Sequence, residues 1–233
     1  MTALIRTVAG IITLVLALGG SISLLGSALE RSESRPVQVP AEMTRLVVDN
    51  SVGEVVVREA EVGAEPEVQV TETWGLQRPE VSTSTADGTT TLRGSCDGPT
   101  FGKCSTDWQI AVPAGTQIEL RGDVGSVRAS EISGDLDVDL EVGEVEVLEA
   151  TSEEISVQVG VGSAAVDAAE PPRRTMVRTD VGDASVTLPG EADYRVTAGT
   201  ETGSLTNTLG DDPQAENVVD VGVDVGEATL SPR

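Results

Sequence analysis

The 233-residue sequence contains no histidine, a single lysine and four aromatic residues, which are Trp74, Phe101, Trp108 and Tyr194. Without histidine the chain has no imidazole base, so Ser–His and Cys–His nucleophile pairs and histidine-ligated metal sites are excluded. Acidic residues outnumber basic ones by 39 to 15, for a formal net charge of −24. Such a chain neither neutralises phosphates nor offers rings for base stacking, so we expect no nucleic-acid partner.

Charge is also missing from the N-terminal segment. Arg6 is the only charged side chain before Glu30, and residues 7–29 are uncharged and rich in Ile, Leu, Val and Ala. A helix over these residues would be about 34 Å long, which is enough to cross a bilayer. We therefore predict a signal anchor at residues 1–30 with residues 7–29 in the membrane, then a linker at residues 31–44 rich in Ser, Glu and Pro. The alternative is a cleaved signal peptide ending near Gly26-Ser27-Ala28.

Cysteine is limited to Cys96 and Cys104, and the turn-forming residues Asp97-Gly98-Pro99 lie between them. A disulfide closing so short a loop would contribute roughly 2–3 kcal/mol and would persist only in an oxidising compartment. A cysteine pair without histidine or further cysteines is a poor zinc site. The sequence thus predicts a single-pass protein of the cell membrane whose C-terminal body is extracytoplasmic.

Beyond residue 44 the chain repeats one pattern, seen most clearly in Leu136-Asp-Val-Asp-Leu-Glu-Val-Gly-Glu-Val-Glu-Val147. When Leu136 is counted as position zero, positions zero, two, four and six are predicted to point inward. Position seven is glycine, and positions nine and eleven point inward again. Strict alternation is typical of a half-buried strand, and the change of parity indicates a bend, which we place at the glycine. Seven copies begin at Leu46, Ile118, Leu136, Ile155, Thr175, Val196 and Val219.

The glycines from Gly125 to Gly226 recur every 18 to 23 residues, which is typical of a solenoid. We predict an all-β, parallel β-solenoid of about seven short rungs over residues 45–231. An insertion at residues 58–117 carries strand-like stretches and the cysteine pair, and we expect it to cover an open end. The alternative is an antiparallel β-sandwich of hairpins, because a turn with glycine first gives the same parity.

The sequence resembles a bacterial family of β-strand-repeat domains of unknown function known as the putative-adhesin family. The features shared are the N-terminal anchor, the pair Cys96 and Cys104, the segment Ile110-Ala-Val-Pro-Ala-Gly115 and the serial Val-Gly-Asp/Glu/Ser units. The resemblance covers roughly residues 44–230. The resemblance implies a right-handed β-helix-like fold and a location in the cell envelope. It brings no catalytic residues.

Acidic side chains recur beside the repeat glycines. Position eight alternates acid and serine along the chain, which in a sequential stack would hold neighbouring acids about two rungs apart. With position five it predicts an acidic ridge formed by Asp123, Glu141, Glu144, Asp180, Asp183, Glu201, Asp224 and Glu227. Oxygen-only ligands suit Ca²⁺, so one interpretation is a cation site, although the glycine-rich calcium-binding nonapeptide is absent. The others are a docking strip for a basic partner and a solvated surface.

No cofactor and no catalytic residue is predicted. The leading hypothesis is a non-enzymatic, membrane-anchored interaction or scaffold module that contacts a protein or a surface polymer. The alternative is an envelope sensor or accessory subunit of a membrane complex, and a carbohydrate-active enzyme is a third hypothesis. Trp74 and Trp108 predict either an exposed binding platform or a local core.

Overall fold

The computed structural model describes residues 30–97 and 102–233, and its regular structure is entirely β-strand, as predicted. None of these residues forms a helix that could span a membrane, and the predicted anchor lies outside them. The strands are β1 (Arg31–Val37), β2 (Arg45–Glu59), β3 (Glu67–Trp74), β4 (Glu80–Ala86), β5 (Thr89–Ser95), β6 (Cys104–Val112), β7 (Gln117–Ser130), β8 (Leu136–Ala150), β9 (Glu154–Ala168), β10 (Arg174–Leu188), β11 (Tyr194–Asn207) and β12 (Asn217–Pro232).

The seven predicted repeats are the seven long strands β2 and β7 to β12. They pair in parallel in the order β2-β7-β8-β9-β10-β12-β11. Equivalent positions are in register, since Val138 pairs with Val157 and Val157 pairs with Val177. This mostly parallel sheet fits a β-solenoid-like fold and contradicts the antiparallel sandwich of hairpins. The right-handed sense of the coil stays a prediction.

The core lies between the two arms of each bent strand. In β9 the first arm buries Ile155, Val157 and Val159, and the second arm buries Ala164 and Val166. These are positions zero, two, four, nine and eleven of the pattern, so the predicted inward positions are confirmed on both arms. Small, β-branched side chains fill this narrow space well, which accounts for the scarcity of aromatic residues.

The prediction for position six was wrong. It was predicted to point inward, but its valines are 42–49% exposed, and these are Val124, Val142, Val161, Val181 and Val225. These valines are exposed because the strand bends before them and not at the glycine. Position five is absent from the strand pairing, as where Gly122 pairs with Leu140 and Val124 with Val142. The strand therefore turns at position five, two residues before the glycine, and positions six and eight both face outward.

The glycine at position seven makes close stacking possible. We call Gly53, Gly125, Gly143, Gly162, Gly182, Gly203 and Gly226 the glycine spine; their φ angles are 136° to 156°. A Cβ on Gly143 would lie 1.8 Å from the carbonyl oxygen of Gly125. All other spine glycines except Gly53 have the same contact with a neighbouring spine glycine, at 1.7–1.9 Å. Both the backbone conformation and the missing side chain are therefore required at this position.

The last two repeats are stacked out of sequence order. β12 lies between β10 and β11, and Gly226 pairs with Gly182 on one side and with Gly203 on the other. The inward side chains of β12 are all buried, and these are Val219, Val221, Val223, Ala228 and Leu230. The corresponding residues of β11 include Thr200 and Asn207 and are only partly buried or exposed. The more apolar strand thus occupies the interior, and the more polar strand covers the end, as expected of a terminal repeat.

The insertion contains a further, divided rung. β5 pairs with the first arm of β2, where Thr90 lies beside Leu46, and β6 pairs with its second arm, where Trp108 lies beside Val55. β4 pairs with β5, β3 with β6 and β1 with β3, all antiparallel. These strands cover one end of the stack, the role expected of the insertion.

Residues 31–37, which were predicted as part of a linker, form strand β1. This strand pairs along its whole length with β3 and lies at the edge of the sheet. Proline at position 36 is compatible with an edge strand, where a missing N–H donor need not face a neighbouring strand. The body of the protein therefore begins directly after the predicted anchor.

Substitution of a spine glycine should strongly destabilise the stack, whereas substitution of an unconstrained glycine should not. Gly143→Ala places a methyl group against the carbonyl of Gly125, and we expect the free energy of unfolding to fall by about 3 kcal/mol or more. Gly199→Ala in β11 is the matched control, because no atom lies within 4 Å of its Cβ position, and its effect should stay below about 1 kcal/mol. Urea unfolding followed by tryptophan fluorescence measures both, and equal stabilities would contradict the spine.

Candidate functional site

The outer corner of the stack carries three parallel columns of side chains, which together we call the corner strip. The middle column is position six, which in spatial order is Val52, Val124, Val142, Val161, Val181, Val225 and Thr202. Position five flanks it with Ser51, Asp123, Glu141, Gly160, Asp180, Asp224 and Glu201. Position eight flanks it on the other side with Glu54, Ser126, Glu144, Ser163, Asp183, Glu227 and Ser204.

All eight residues of the predicted acidic ridge lie in the flanking columns and are exposed. The sequence did not predict the valine column between them, because position six was assigned to the core. In the structure, the predicted acidic ridge is therefore two columns of acids with an apolar column between them. The signal that could have revealed it is the valine at position six in six of the seven repeats.

The predicted alternation of acid and serine does not hold at one end of the stack. Insertion of β12 places Glu227 directly beside Asp183, and the Glu227 N–H donates to the Asp183 carboxylate at 3.0 Å. Asp180 and Asp224 lie on the same adjacent strands at position five, with Glu201 on the next. Five carboxylates thus lie on three successive rungs, and like-charge repulsion is concentrated there rather than relieved.

None of the arginines that the structure describes forms an ion pair with an acid of the corner strip. Among residues 30–97 and 102–233, every ion pair joins other carboxylates, and none involves a ridge residue. Arg45, for example, pairs with Glu119 on the outer face of the first arm, and Arg178 pairs with Asp220 at 2.8 Å. The corner strip therefore carries uncompensated negative charge.

A preformed cation cage is not part of this surface. In the part of the chain that the structure describes, no group of three or more acidic or cysteine side chains is arranged to hold a metal ion. The carboxylates follow the column instead of converging on one point. The geometry thus gives no support to the calcium interpretation.

The disulfide predicted between Cys96 and Cys104 is present, with the two Cα atoms 5.9 Å apart. It joins the end of β5 to the start of β6, two residues before Thr106, whose carbonyl oxygen faces Gly53 as a spine glycine does on the other rungs. Beside it the buried Asn50 side chain donates to the carbonyl of Thr106 at 2.9 Å and accepts from the indole N–H of Trp108 at 3.3 Å. Trp108 is fully buried, so the core interpretation is correct for this residue. Asn50 was missed, although a polar residue at an inward position was a visible signal.

A buried ion pair attaches β1 to the body. The carboxylate of Glu72 on β3 is buried and accepts from Arg35 on β1 at 3.0 Å and from Arg78. The Arg78 guanidinium also pairs with Glu33 and lies 4.6 Å from the centre of the half-buried Trp74 ring. Burial by itself raises the pKa of Glu72, but the hydrogen bonds from the two arginines outweigh it and hold that pKa below its usual value.

Comparison with known proteins supports the fold. No family model and no curated protein matches the chain. Solved structures similar to it include a "putative cell adhesion protein" from Clostridium sporogenes and a "putative adhesin" from Bacteroides fragilis. The first has 17% sequence identity and a TM-score of 0.53 over 88% of this chain and 100% of its own. The second has 15% identity and a TM-score of 0.52 over 87% of this chain and 97% of its own. Likeness at this level of identity shows a shared fold.

The Glu72 ion pair should make the stability of the protein depend on pH in the acidic range. Because its folded pKa lies below the ordinary value of 4.5, the stabilisation is fully present above that pH and is lost as pH falls toward the folded pKa. We expect Glu72→Gln to cost about 2 kcal/mol at pH 7, and the difference from wild type to shrink as the pH falls below 4.5. Urea unfolding across pH measures it, with the exposed Glu80→Gln as control. A difference that does not change with pH would contradict the assignment.

Proposed function

We propose that this chain is a non-enzymatic, membrane-anchored module of the cell envelope, with residues 7–29 in the membrane and the β-solenoid outside the cytoplasm. Its role is that of an adhesin-like interaction or scaffold module whose partner is a protein or a surface polymer. The observation that carries the proposal is the corner strip, where a stacked column of exposed valines is flanked by carboxylates that no arginine of the described chain neutralises.

A rigid stack is well suited to binding by many small contacts. The register of the glycine spine repeats the same exposed groups from rung to rung, so a partner that matches one rung also matches the next. The Cys96–Cys104 disulfide supports an oxidising environment for the body. The adhesion-related names of the two similar solved structures agree with a surface role.

The second candidate is a sensor or accessory subunit of a membrane complex, and β1 favours it. This strand begins at Arg31, directly after the predicted anchor, and is held to β3 by strand pairing and by the Glu72 ion pair. The anchor and the body would then move together, so that a partner of the anchor could reorient the body. The third hypothesis, a polysaccharide-degrading enzyme, would need a calcium–carboxylate cluster beside a basic residue, and no observation favours it.

Photo-cross-linking in the cells that make the protein tests the proposal. A photoreactive amino acid replaces Val161 on the corner strip or, as a matched control, Gln158 on the outward first arm of the same strand; both are exposed. We expect the full-length chain in the membrane fraction and a cross-linked product of higher mass from position 161 only. Recovery of the uncleaved chain as a soluble protein, or equal products from both positions, would contradict the proposal.

A further inference from the structure

The valine column is long, continuous and open to solvent. In-register neighbours on adjacent strands are separated by about 4.8 Å, so the six valines from Val52 to Val225 extend over about 24 Å. Five of them leave nearly half of the side chain exposed. Single exposed valines are ordinary, but a continuous apolar column rimmed by charge is typical of a surface that another molecule covers.

The charge around the valine column indicates the charge that a partner must carry. Carboxylates lie on both sides, from Glu54, Asp123, Glu141 and Glu144 near one end to Asp180, Asp183, Asp224, Glu227 and Glu201 near the other. Only the rung of β9 is neutral, with Gly160 and Ser163 in the flanking positions. A second copy of this chain, with its net charge of −24, would meet like charge there. The complementary partner is cationic on two sides and apolar between them.

The direction of the column defines the partner's conformation. The valines follow the stacking axis, so a ligand must present one apolar side chain about every 4.8 Å along a line. An α-helix presents its apolar seam about every 5.4 Å, and 16 helical residues extend over about 24 Å. An extended strand on the same axis presents side chains on one face only about every 6.6 Å. Its side chains therefore no longer match the valines after two rungs.

We propose that the corner strip binds a basic amphipathic α-helix of a partner protein. The helix is about 16 residues long, its apolar seam lies along the six valines from Val52 to Val225, and its Lys and Arg side chains reach the acids on both sides. This inference rests on the proposed function and specifies the chemistry of its partner. The valines supply the apolar contact, and the carboxylates supply orientation and attraction.

The test uses the full chain in phosphatidylcholine nanodiscs and a fluorescein-labelled 18-residue peptide. The peptide has leucine at its seam and Lys and Arg on both shoulders, and a peptide of identical composition with the seam scrambled is the comparison. Fluorescence anisotropy measures the affinity, and empty nanodiscs give the baseline for binding to lipid. We expect the seam peptide to bind the wild-type chain roughly tenfold or more tightly than the scrambled one, and its affinity to fall with salt.

Two sets of variants assign the contact to the corner strip. V124T/V142T/V161T/V181T keeps shape and β-branching but makes the column polar, and D180N/D183N/D224N/E227Q removes four ridge charges; we expect each to weaken binding roughly tenfold. D135N/D137N/E154Q/E170Q removes four exposed charges elsewhere and should change affinity less than about twofold. Thermal unfolding confirms that each variant is folded.

Three results would overturn the inference. They are equal binding of both peptides, unchanged affinity of the threonine variant, and equal weakening by the two charge variants, since each means that general negative charge suffices. Cross-linking from position 161 in the envelope is independent of this peptide. If it persists while the peptide does not bind, the interaction module stands and its partner has another chemistry.

Discussion

Every spine glycine except Gly53 lies against the carbonyl oxygen of the spine glycine on a neighbouring rung. The contact is so close that a Cβ at Gly182 would be 1.7 Å from the oxygen of Gly162. This backbone contact fixes the register of the stack, because a shift by one residue would bring a side chain into that space. A fixed register in turn aligns every other position into a column. The buried valine ladders, the exposed valines at position six and the acids beside them all follow from it.

The two ends of the stack are closed in different ways. At one end the divided rung of β5 and β6 lacks a spine glycine. The disulfide joins its two halves, and Asn50 of β2 holds the β6 half by hydrogen bonds to Thr106 and Trp108. Antiparallel strands then cover it. At the other end β11 has polar inward residues, and the loop that follows folds back so that Asp211 accepts from the N–H of Val196 at 2.9 Å. The apolar interior is thus closed at both ends, while the corner strip stays open along the side.

The sequence predicted what depends on neighbours along the chain. The alternation of Leu136 to Val147, the glycine of each repeat and the turn residues between Cys96 and Cys104 are local signals, and they led to the repeats, their register and the disulfide. The order β10-β12-β11 depends on which of two similar strands buries more apolar surface, and both preserve the glycine register. The divided rung was hidden because its halves are two separate stretches of the chain, β5 and β6, neither of which carries the whole pattern. The exposure of Val142 depends on where the strand bends, which alternation alone does not locate within two residues.

The most direct test of this account is a cysteine cross-linking measurement on the order of the last rungs. The hydroxyl oxygens of Thr187 on β10 and Ser231 on β12 lie 3.4 Å apart, whereas Thr208, which follows β11, is one rung beyond Ser231. The pair Thr187→Cys and Ser231→Cys should therefore form a disulfide on mild oxidation, and the pair Thr187→Cys and Thr208→Cys should not. Mass-spectrometric mapping separates these bonds from Cys96–Cys104. A cross-link between positions 187 and 208 instead would show sequential stacking and contradict the order of rungs on which the corner strip is built.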